Sequence, residues 1–312
     1  MSLRKLIPYI RIARFDHWIK NIFMLPGLAF GYLSAGAIPA TFASDLFLSL
    51  LSLGLLASAN YTINEYLDAA FDRYHPQKQN RAGVKERLDG RLVWLEYALL
   101  ASSGLGLALL LTKYVFFSGL VLLIMGLFYN VRPFRTKERV YVDVLTESVN
   151  NPIRFMFGWF SAGLAAFPPS SILISYWMGG AFLMGMKRFA EYRSIADPKV
   201  AALYRTSFKY YTEQTLLQSS FFYALVAALF LGIFLIKYRI EYLLLFPFVA
   251  WLFTHYLGMA FRTSSAAQAP EKLFRERRLM LLVGFLVLGM LVLFLVDIAP
   301  LQFFLRRMEL RQ

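Results

Sequence analysis

A stripe of acid and amide side chains runs along one apolar segment of the sequence. Asn60, Asn64, Asp68 and Asp72 recur every fourth residue, and Glu65 adjoins them. In a helix this spacing places side chains on one face. Oxygen ligands one turn apart suit Mg²⁺, which keeps its other positions for water and substrate phosphate. We therefore predict that Asn64, Asp68 and Asp72 bind a metal, and that these three residues and Glu65 form a catalytic group.

A cationic segment directly follows these acids. It contains His75, Lys78 and Arg81, which we predict to bind substrate phosphate. In the alternative interpretation, the acids are solvated at a helix end and pair with Arg73. Carboxylates alone do not need a cationic loop, whereas a metal-bound diphosphate needs both kinds of charge.

A second polar stripe lies in another apolar segment. Asp143, Glu147, Asn151 and Arg154 have the spacing of one helical face. Charges inside a membrane segment usually face a cavity or pair with each other. We predict that Arg154 binds a phosphate, and the alternative is a structural ion pair between Arg154 and Glu147.

A third cluster is the run KRFAE, with Lys187, Arg188 and Glu191. A positively charged membrane flank would explain the two cations, but it explains Glu191 less well. We assign all three residues to substrate phosphate binding.

The N-terminal run DHWIKN forms a fourth cluster. Lys20 and Asn21 are further predicted phosphate ligands. The alternative is an amphipathic interfacial helix anchored by Trp18, which is typical of membrane surfaces.

The elements that carry these clusters are membrane helices. Hydrophobic residues make up 58% of the 312-residue chain and charged residues only 17%, far from the usual soluble composition. Apolar stretches of the length that a bilayer requires recur along it. We predict an all-α, polytopic membrane protein with one domain over residues 1–312 and nine transmembrane helices. These helices are predicted at residues 22–40, 45–70, 92–112, 114–131, 143–167, 170–190, 215–236, 241–260 and 279–298.

The loops carry most of the net charge of +14, and Lys and Arg concentrate in the loops of one side. This asymmetry predicts a cytoplasmic N-terminus, an outside C-terminus and a cytoplasmic active site. We expect the membrane to be the bacterial inner membrane. The segments 1–21, 71–91 and 187–214 would then surround the site. The chain has no cysteine, which excludes disulfides and thiolate metal sites.

The run NEYLDAAFD resembles the first signature of the UbiA superfamily of intramembrane prenyltransferases, with Glu65 in place of its second residue. The superfamily normally has a second aspartate-rich run after the sixth span. Here that region offers only Glu191 and Asp197. The resemblance implies a UbiA-like helical bundle that uses Mg²⁺ to activate a diphosphate leaving group.

Three further runs are similar to the polyprenyl-phosphate (decaprenyl-phosphate) phosphoribosyltransferases of that superfamily. They are WIKN at 18–21, HPQKQNR at 75–81 and KRFAE at 187–191. Phe189 replaces the usual Tyr, and Ala82 stands where Pro usually follows the loop arginine. The resemblance implies transfer of 5-phosphoribose from phosphoribosyl diphosphate to a polyprenyl phosphate in the bilayer.

Two other functions compete with this one. A prenyltransferase would move an isoprenoid from its diphosphate to an aromatic or other acceptor. A lipid flippase or transporter would use the polar stripes as a path, although no inverted repeat is visible in the sequence. We expect no nucleic-acid partner, and the sequence leaves the oligomeric state open.

Overall fold

The computed structural model describes residues 3–262, 265–268 and 270–301, and within these ranges all regular structure is helical. This confirms the all-α prediction for the described residues. The α-helices are α1 Leu3–Ile12, α2 Leu25–Ala35, α3 Phe42–Asp72, α4 Ala82–Lys85, α5 Gly90–Leu111, α6 Lys113–Asn130, α7 Val142–Ser148, α8 Asn150–Ser161, α9 Ser170–Ile195, α10 Pro198–Tyr204, α11 Glu213–Tyr238, α12 Phe246–Ala260 and α13 Arg277–Leu295. Short 3₁₀ segments join several of them, including Phe15–Met24 before α2 and Thr136–Glu138 before α7.

Six helical segments are long and apolar enough to cross a membrane. The other three predicted spans do not coincide with one long, strongly apolar helix each. The span at 22–40 contains the 11-residue α2, the span at 143–167 is divided between α7 and α8, and α9 is long but more polar. The count of nine spans and the sides of the two termini therefore stay predictions, and residues after 301 lie outside the described part.

The bundle has two apolar clusters. One joins α3, α5, α6 and α8, and the other joins α9, α11 and α12. Glycine permits a close contact between α2 and α8, because a Cβ on Gly158 of α8 would overlap the backbone of Met24 and Leu28. This contact holds the N-terminal segment against the bundle.

Helix α3 positions the acidic stripe. It runs for 31 residues and ends at Asp72, four residues before Pro76. The chain then folds back, so that α4 packs against α3, and α5 begins at an Asp89 N-cap that accepts a hydrogen bond from the Arg91 amide at 2.8 Å. The cationic loop is therefore held beside the acids that precede it.

Candidate active site

The acidic end of α3 opens onto a cavity of about 100 Å³. Asn64, Asp68 and Asp72 all line it, so the helical spacing brings the three predicted metal ligands to one wall. The other walls come from the loop after α3, the segment between α6 and α7, and the region from α9 to α10. We call it the mixed-charge cavity. Its other charged lining residues are Lys78, Arg81, Arg135, Lys137, Glu138, Glu147, Lys187 and Arg205.

Two cations hold Asp68 in place. Lys137 Nζ lies 2.5 Å and Arg135 Nη2 lies 3.0 Å from the same oxygen, Asp68 Oδ1. The other oxygen, Oδ2, accepts a hydrogen bond from the Asn64 amide at 3.3 Å. Burial lowers the pKa of Lys137 to about 8, although the Asp68 carboxylate opposes this shift. In the sequence, Arg135 and Lys137 are only loop cations, because nothing in their spacing connects them to Asp68.

Arg81 returns to the end of α3 and pairs with Asp72. Its Nη1 lies 2.6 Å from Asp72 Oδ2. Arg73, which the alternative interpretation paired with the acids, is exposed and forms no ion pair with them in the described chain. The loop and the helix end therefore form one charged unit rather than a solvated helix terminus.

His75 and Lys78 differ in their surroundings. His75 Nδ1 accepts hydrogen bonds from the backbone amides of Gln77 at 3.1 Å and Lys78 at 3.4 Å. Burial and the Lys78 charge lower the pKa of His75 to about 4, so its ring is neutral near pH 7. Lys78 Nζ lies 2.8 Å from Glu191 Oε1 and also contacts the Tyr204 hydroxyl. Lys78 thus faces the mixed-charge cavity with its charge, whereas His75 orders the loop backbone and lines an adjacent cavity as a neutral ring.

Arg188 is the centre of a buried ion-pair network. Its guanidinium contacts the carboxylate of Glu147, that of Glu191 at 3.1 Å and that of Asp143 at 3.5 Å. Arg188 and Glu191 are fully buried, and neither residue lines the cavity. The structure therefore does not bring them to the space that the other predicted phosphate ligands face. Lys187 does line the cavity, with Nζ 3.5 Å from Glu147.

A second cavity, of about 380 Å³, adjoins the first, and Lys78, Arg81 and Lys187 line both. It lies between the N-terminal segment, the loop after α3 and α9. Lys20 faces it, with Nζ 2.9 Å from His17 Nδ1. We call it the basic cavity, because seven Lys and Arg side chains line it against two carboxylates. These are Arg11, Arg14, Lys20, Lys78, Arg81, Lys85 and Lys187, with Glu65 and Glu86.

Glu65 is placed differently from its neighbours in the acidic stripe. It lines the basic cavity, whereas Asn64, Asp68 and Asp72 line the mixed-charge cavity. Adjacent helical positions differ by about 100° in direction, so α3 presents the two sets to different spaces. The structure therefore separates Glu65 from the predicted metal ligands.

Asn21 and Arg154 are buried outside the linings of both cavities. Arg154 is 9% exposed, and its guanidinium donates a 3.5 Å hydrogen bond to the Asn150 carbonyl. It has no ion pair in the described chain. The alternative pairing with Glu147 is wrong, because Glu147 binds Arg188 and Lys187 instead. Phosphate binding by Asn21 and Arg154 stays a prediction.

The donor atoms at the end of α3 fit a hard cation. No group of three His, Cys, Asp or Glu residues with metal-binding geometry occurs in the part of the chain that is described. The predicted set contains two carboxylates and one amide, and each carboxylate keeps one oxygen that no described cation contacts. Carboxylate and amide oxygens are ligands that Mg²⁺ accepts, and this ion binds few protein carboxylates.

Solved structures of known proteins share the fold of this chain. The chain is similar in structure to a UbiA homolog from Archaeoglobus fulgidus bound to GPP and Mg²⁺, with a TM-score of 0.69, 21% identity, and coverage of 92% of this chain and 99% of that one. It is also similar to a digeranylgeranylglyceryl phosphate synthase, with a TM-score of 0.61, 18% identity, and coverage of 93% and 98%. At these identities the likeness concerns the fold.

Three known proteins are similar to this chain in sequence. The chain is 30% identical over 216 residues to the decaprenyl-phosphate phosphoribosyltransferase of Mycobacterium tuberculosis, covering 65% of each. It is 33% identical over 98 residues to the nodulation protein NoeC of Azorhizobium caulinodans and 29% identical over 158 residues to protein y4nM of Sinorhizobium fredii. It spans only 30% and 29% of the lengths of those two proteins.

The family model of the UbiA prenyltransferase family matches residues 23–285, which is most of the chain. The family is one of transferases, and the six apolar helices agree with a membrane location. The chain is an integral membrane protein that belongs to the UbiA prenyltransferase family.

Proposed function

We propose that the protein transfers 5-phosphoribose from phosphoribosyl diphosphate to a polyprenyl phosphate, with Mg²⁺ as cofactor and diphosphate as the leaving group. The reaction would take place at the cytoplasmic face of a bacterial inner membrane. The similarity to the Mycobacterium tuberculosis enzyme supports this donor and acceptor, and the family supports transfer at a diphosphate.

The observation that carries the proposal is the pair of joined cavities. The mixed-charge cavity offers the acids and cations that a metal-bound diphosphate needs, and the basic cavity adds a second anion site. A prenyl diphosphate has a single anionic group. Phosphoribosyl diphosphate has a diphosphate at C1 and a separate phosphate at C5, and its acceptor is a phosphate as well. Two cavities joined by Lys78, Arg81 and Lys187 suit the more heavily phosphorylated reactants.

In this mechanism Asn64, Asp68 and Asp72 would hold Mg²⁺, which would supply positive charge to the leaving diphosphate. Lys78 and Arg81 bind the same phosphates from the loop side. Lys137 and Arg135 keep Asp68 ionised and in position, since both contact its Oδ1.

The acceptor needs orientation rather than deprotonation. A polyprenyl phosphate is already an anion, so one of its oxygens forms the new bond to C1 as the bond to diphosphate breaks, and no general base is required. Lys187 lines both cavities and is placed to direct this phosphate. Arg154 is the predicted second contact, because no carboxylate in the described chain neutralises its charge.

The competing prenyltransferase function is less well supported. The two acids in the region of the usual second aspartate-rich run are both engaged. Glu191 binds Lys78 and Arg188, and Asp197 caps α10 by accepting a hydrogen bond from the Lys199 amide at 2.8 Å. Both oxygens of Glu191 are in ion pairs, so this region keeps one acid, Asp197, with an oxygen that accepts no hydrogen bond in the described chain, rather than an aspartate-rich run.

The test is a direct comparison of donors. Purified protein in lipid nanodiscs receives Mg²⁺ with phosphoribosyl diphosphate and decaprenyl phosphate, or with a prenyl diphosphate and an aromatic acceptor. We expect diphosphate release and a phosphoribosylated lipid, identified by mass spectrometry, in the first mixture alone. Turnover of the prenyl diphosphate without turnover of phosphoribosyl diphosphate would establish the alternative. The oligomeric state, which the sequence leaves open, is measurable on the same sample.

A further inference from the structure

We propose that Glu65 is a positioning residue that holds the two walls of the basic cavity together and thereby sets the affinity for the donor. This rests on the proposed function and refines it, because the sequence alone assigns Glu65 to the catalytic group around the metal. Glu65 acts on other side chains and on the loop backbone, and it does not contact the reacting atoms.

Glu65 connects two segments that are far apart in the sequence. It is 3% exposed. Its Oε2 lies 3.4 Å from Arg14 Nη1 in the N-terminal segment, and its Oε1 accepts a hydrogen bond from the Gly83 amide at 3.3 Å in the loop after α3. Both segments contribute to the lining of the basic cavity. One carboxylate therefore fixes the separation of two cavity walls.

The backbone geometry on both sides depends on this contact. A Cβ on Gly83 would lie 2.8 Å from the Glu65 carbonyl oxygen and 3.1 Å from its Cγ, so only glycine lets the loop approach α3 this closely. Arg14 has a left-handed backbone conformation with φ of 52°, which is uncommon for a residue with a side chain. Surrounding contacts, including that with Glu65, hold Arg14 in this conformation.

The charge balance gives Glu65 a further effect on the same cavity. Of the two carboxylates in the lining, Glu86 is exposed and Glu65 is buried. Glu65 is therefore the buried carboxylate of this lining and offsets the charge of Arg14, while Asp72, Glu191 and Glu147 pair with Arg81, Lys78 and Lys187. Loss of this carboxylate separates Arg14 and the loop, which weakens donor binding while the metal ligands on the other face of α3 stay in place.

Three variants test separately the charge of Glu65, the length of its side chain and the position of the loop it contacts. Glu65→Gln keeps the length and removes the charge, Glu65→Asp shortens the side chain, and Gly83→Ala moves the loop while Glu65 stays intact. Glu213→Gln is the matched control, because Glu213 is exposed, pairs with Arg193 at the surface and lines neither cavity.

Kinetics give the first measurement. We expect each of the three variants to raise the KM for phosphoribosyl diphosphate by about 5- to 20-fold while kcat changes by less than about threefold. The Mg²⁺ concentration for half-maximal rate should stay the same. A fall in kcat of about 100-fold with a higher Mg²⁺ requirement in Glu65→Gln would overturn the proposal and make Glu65 a metal ligand.

Limited proteolysis of the ligand-free protein gives a measurement that needs no substrate. Trypsin cleavage after the exposed residues Lys85 and Arg87 should be at least about threefold faster in the three variants than in the wild type and in Glu213→Gln. Unchanged cleavage would overturn the positioning role even if the enzyme transfers phosphoribose. Faster cleavage in a protein that does not use phosphoribosyl diphosphate would support the role and reject only the proposed donor.

Discussion

The guanidinium of Arg81 lies 2.6 Å from the carboxylate of Asp72. Asp72 is the last residue of α3, and Arg81 lies in the loop that follows this helix. The contact turns the chain back on itself at the edge of the membrane helix. It puts the cations of the loop and the acids of the helix into one cavity, where both act on the same ligand.

Removal of the Asp72 charge should abolish catalysis. We expect Asp72→Asn to lower kcat by at least about 100-fold, because an amide is a weaker Mg²⁺ ligand and does not pair with Arg81. Initial rates across a Mg²⁺ titration measure this effect. Asp297→Asn is the control, since Asp297 is largely exposed and lines neither cavity. A near-normal rate in Asp72→Asn would remove Asp72 from the metal site.

Loss of the Lys78 ammonium should weaken donor binding. We expect Lys78→Ala to raise the KM for phosphoribosyl diphosphate by about 10-fold, because Lys78 lines both cavities and its charge is lost from each of them. Arg91→Ala is the matched control, because Arg91 is an exposed cation that lines neither cavity. An unchanged KM would show that the cations of this loop only flank the membrane and do not bind the donor.

Replacement of Arg188 should destabilise the fold. Arg188→Leu leaves the buried carboxylates of Asp143 and Glu191 and the partly exposed carboxylate of Glu147 without this partner, and breaking a buried network in this way costs about 3–5 kcal/mol. Arg193→Gln removes a surface ion pair and should cost at most about 1 kcal/mol. Thermal unfolding midpoints in detergent compare the two variants. Equal midpoints, together with a raised donor KM in Arg188→Leu, would instead assign Arg188 to phosphate binding.

Stability should fall at mildly acidic pH because of His75. Burial and the Lys78 charge lower its pKa from 6.5 to about 4 in the folded protein. The unfolded chain therefore binds the proton first as the pH falls, and stability that is present above pH 6.5 is lost between about pH 6.5 and 4. The loss from this residue is on the order of 1–3 kcal/mol. Unfolding midpoints at several pH values test this.

The control for this prediction is His75→Asn, which keeps a polar side chain but does not titrate. Its loss of stability between pH 7 and 5 should be smaller than that of the wild type. The same pH dependence in both proteins would show that another group causes it, such as His17, whose pKa burial also lowers.

Part of this arrangement follows from the sequence alone. The long apolar runs predict membrane helices, because a segment in the bilayer core must hydrogen-bond its own backbone N–H and C=O groups, and a helix does so. The four-residue spacing places Asn64, Asp68 and Asp72 along one helical face, since backbone geometry alone sets that period. The structure brings all three to one cavity.

The partners of these charges were decided by the tertiary structure. Arg135 and Lys137 reach Asp68 because the segment between α6 and α7 folds over the end of α3, and no local pattern encodes that distance. Arg188 resembles a phosphate ligand in the sequence, yet three carboxylates from two helices contact it, two of them fully buried. Glu65 adjoins a metal ligand in the chain and faces a different cavity in space. Helical spacing is a local property, whereas ion pairing depends on which segments the fold brings within a few ångströms, so the sequence alone identified the charged residues and only the folded chain determined how they pair.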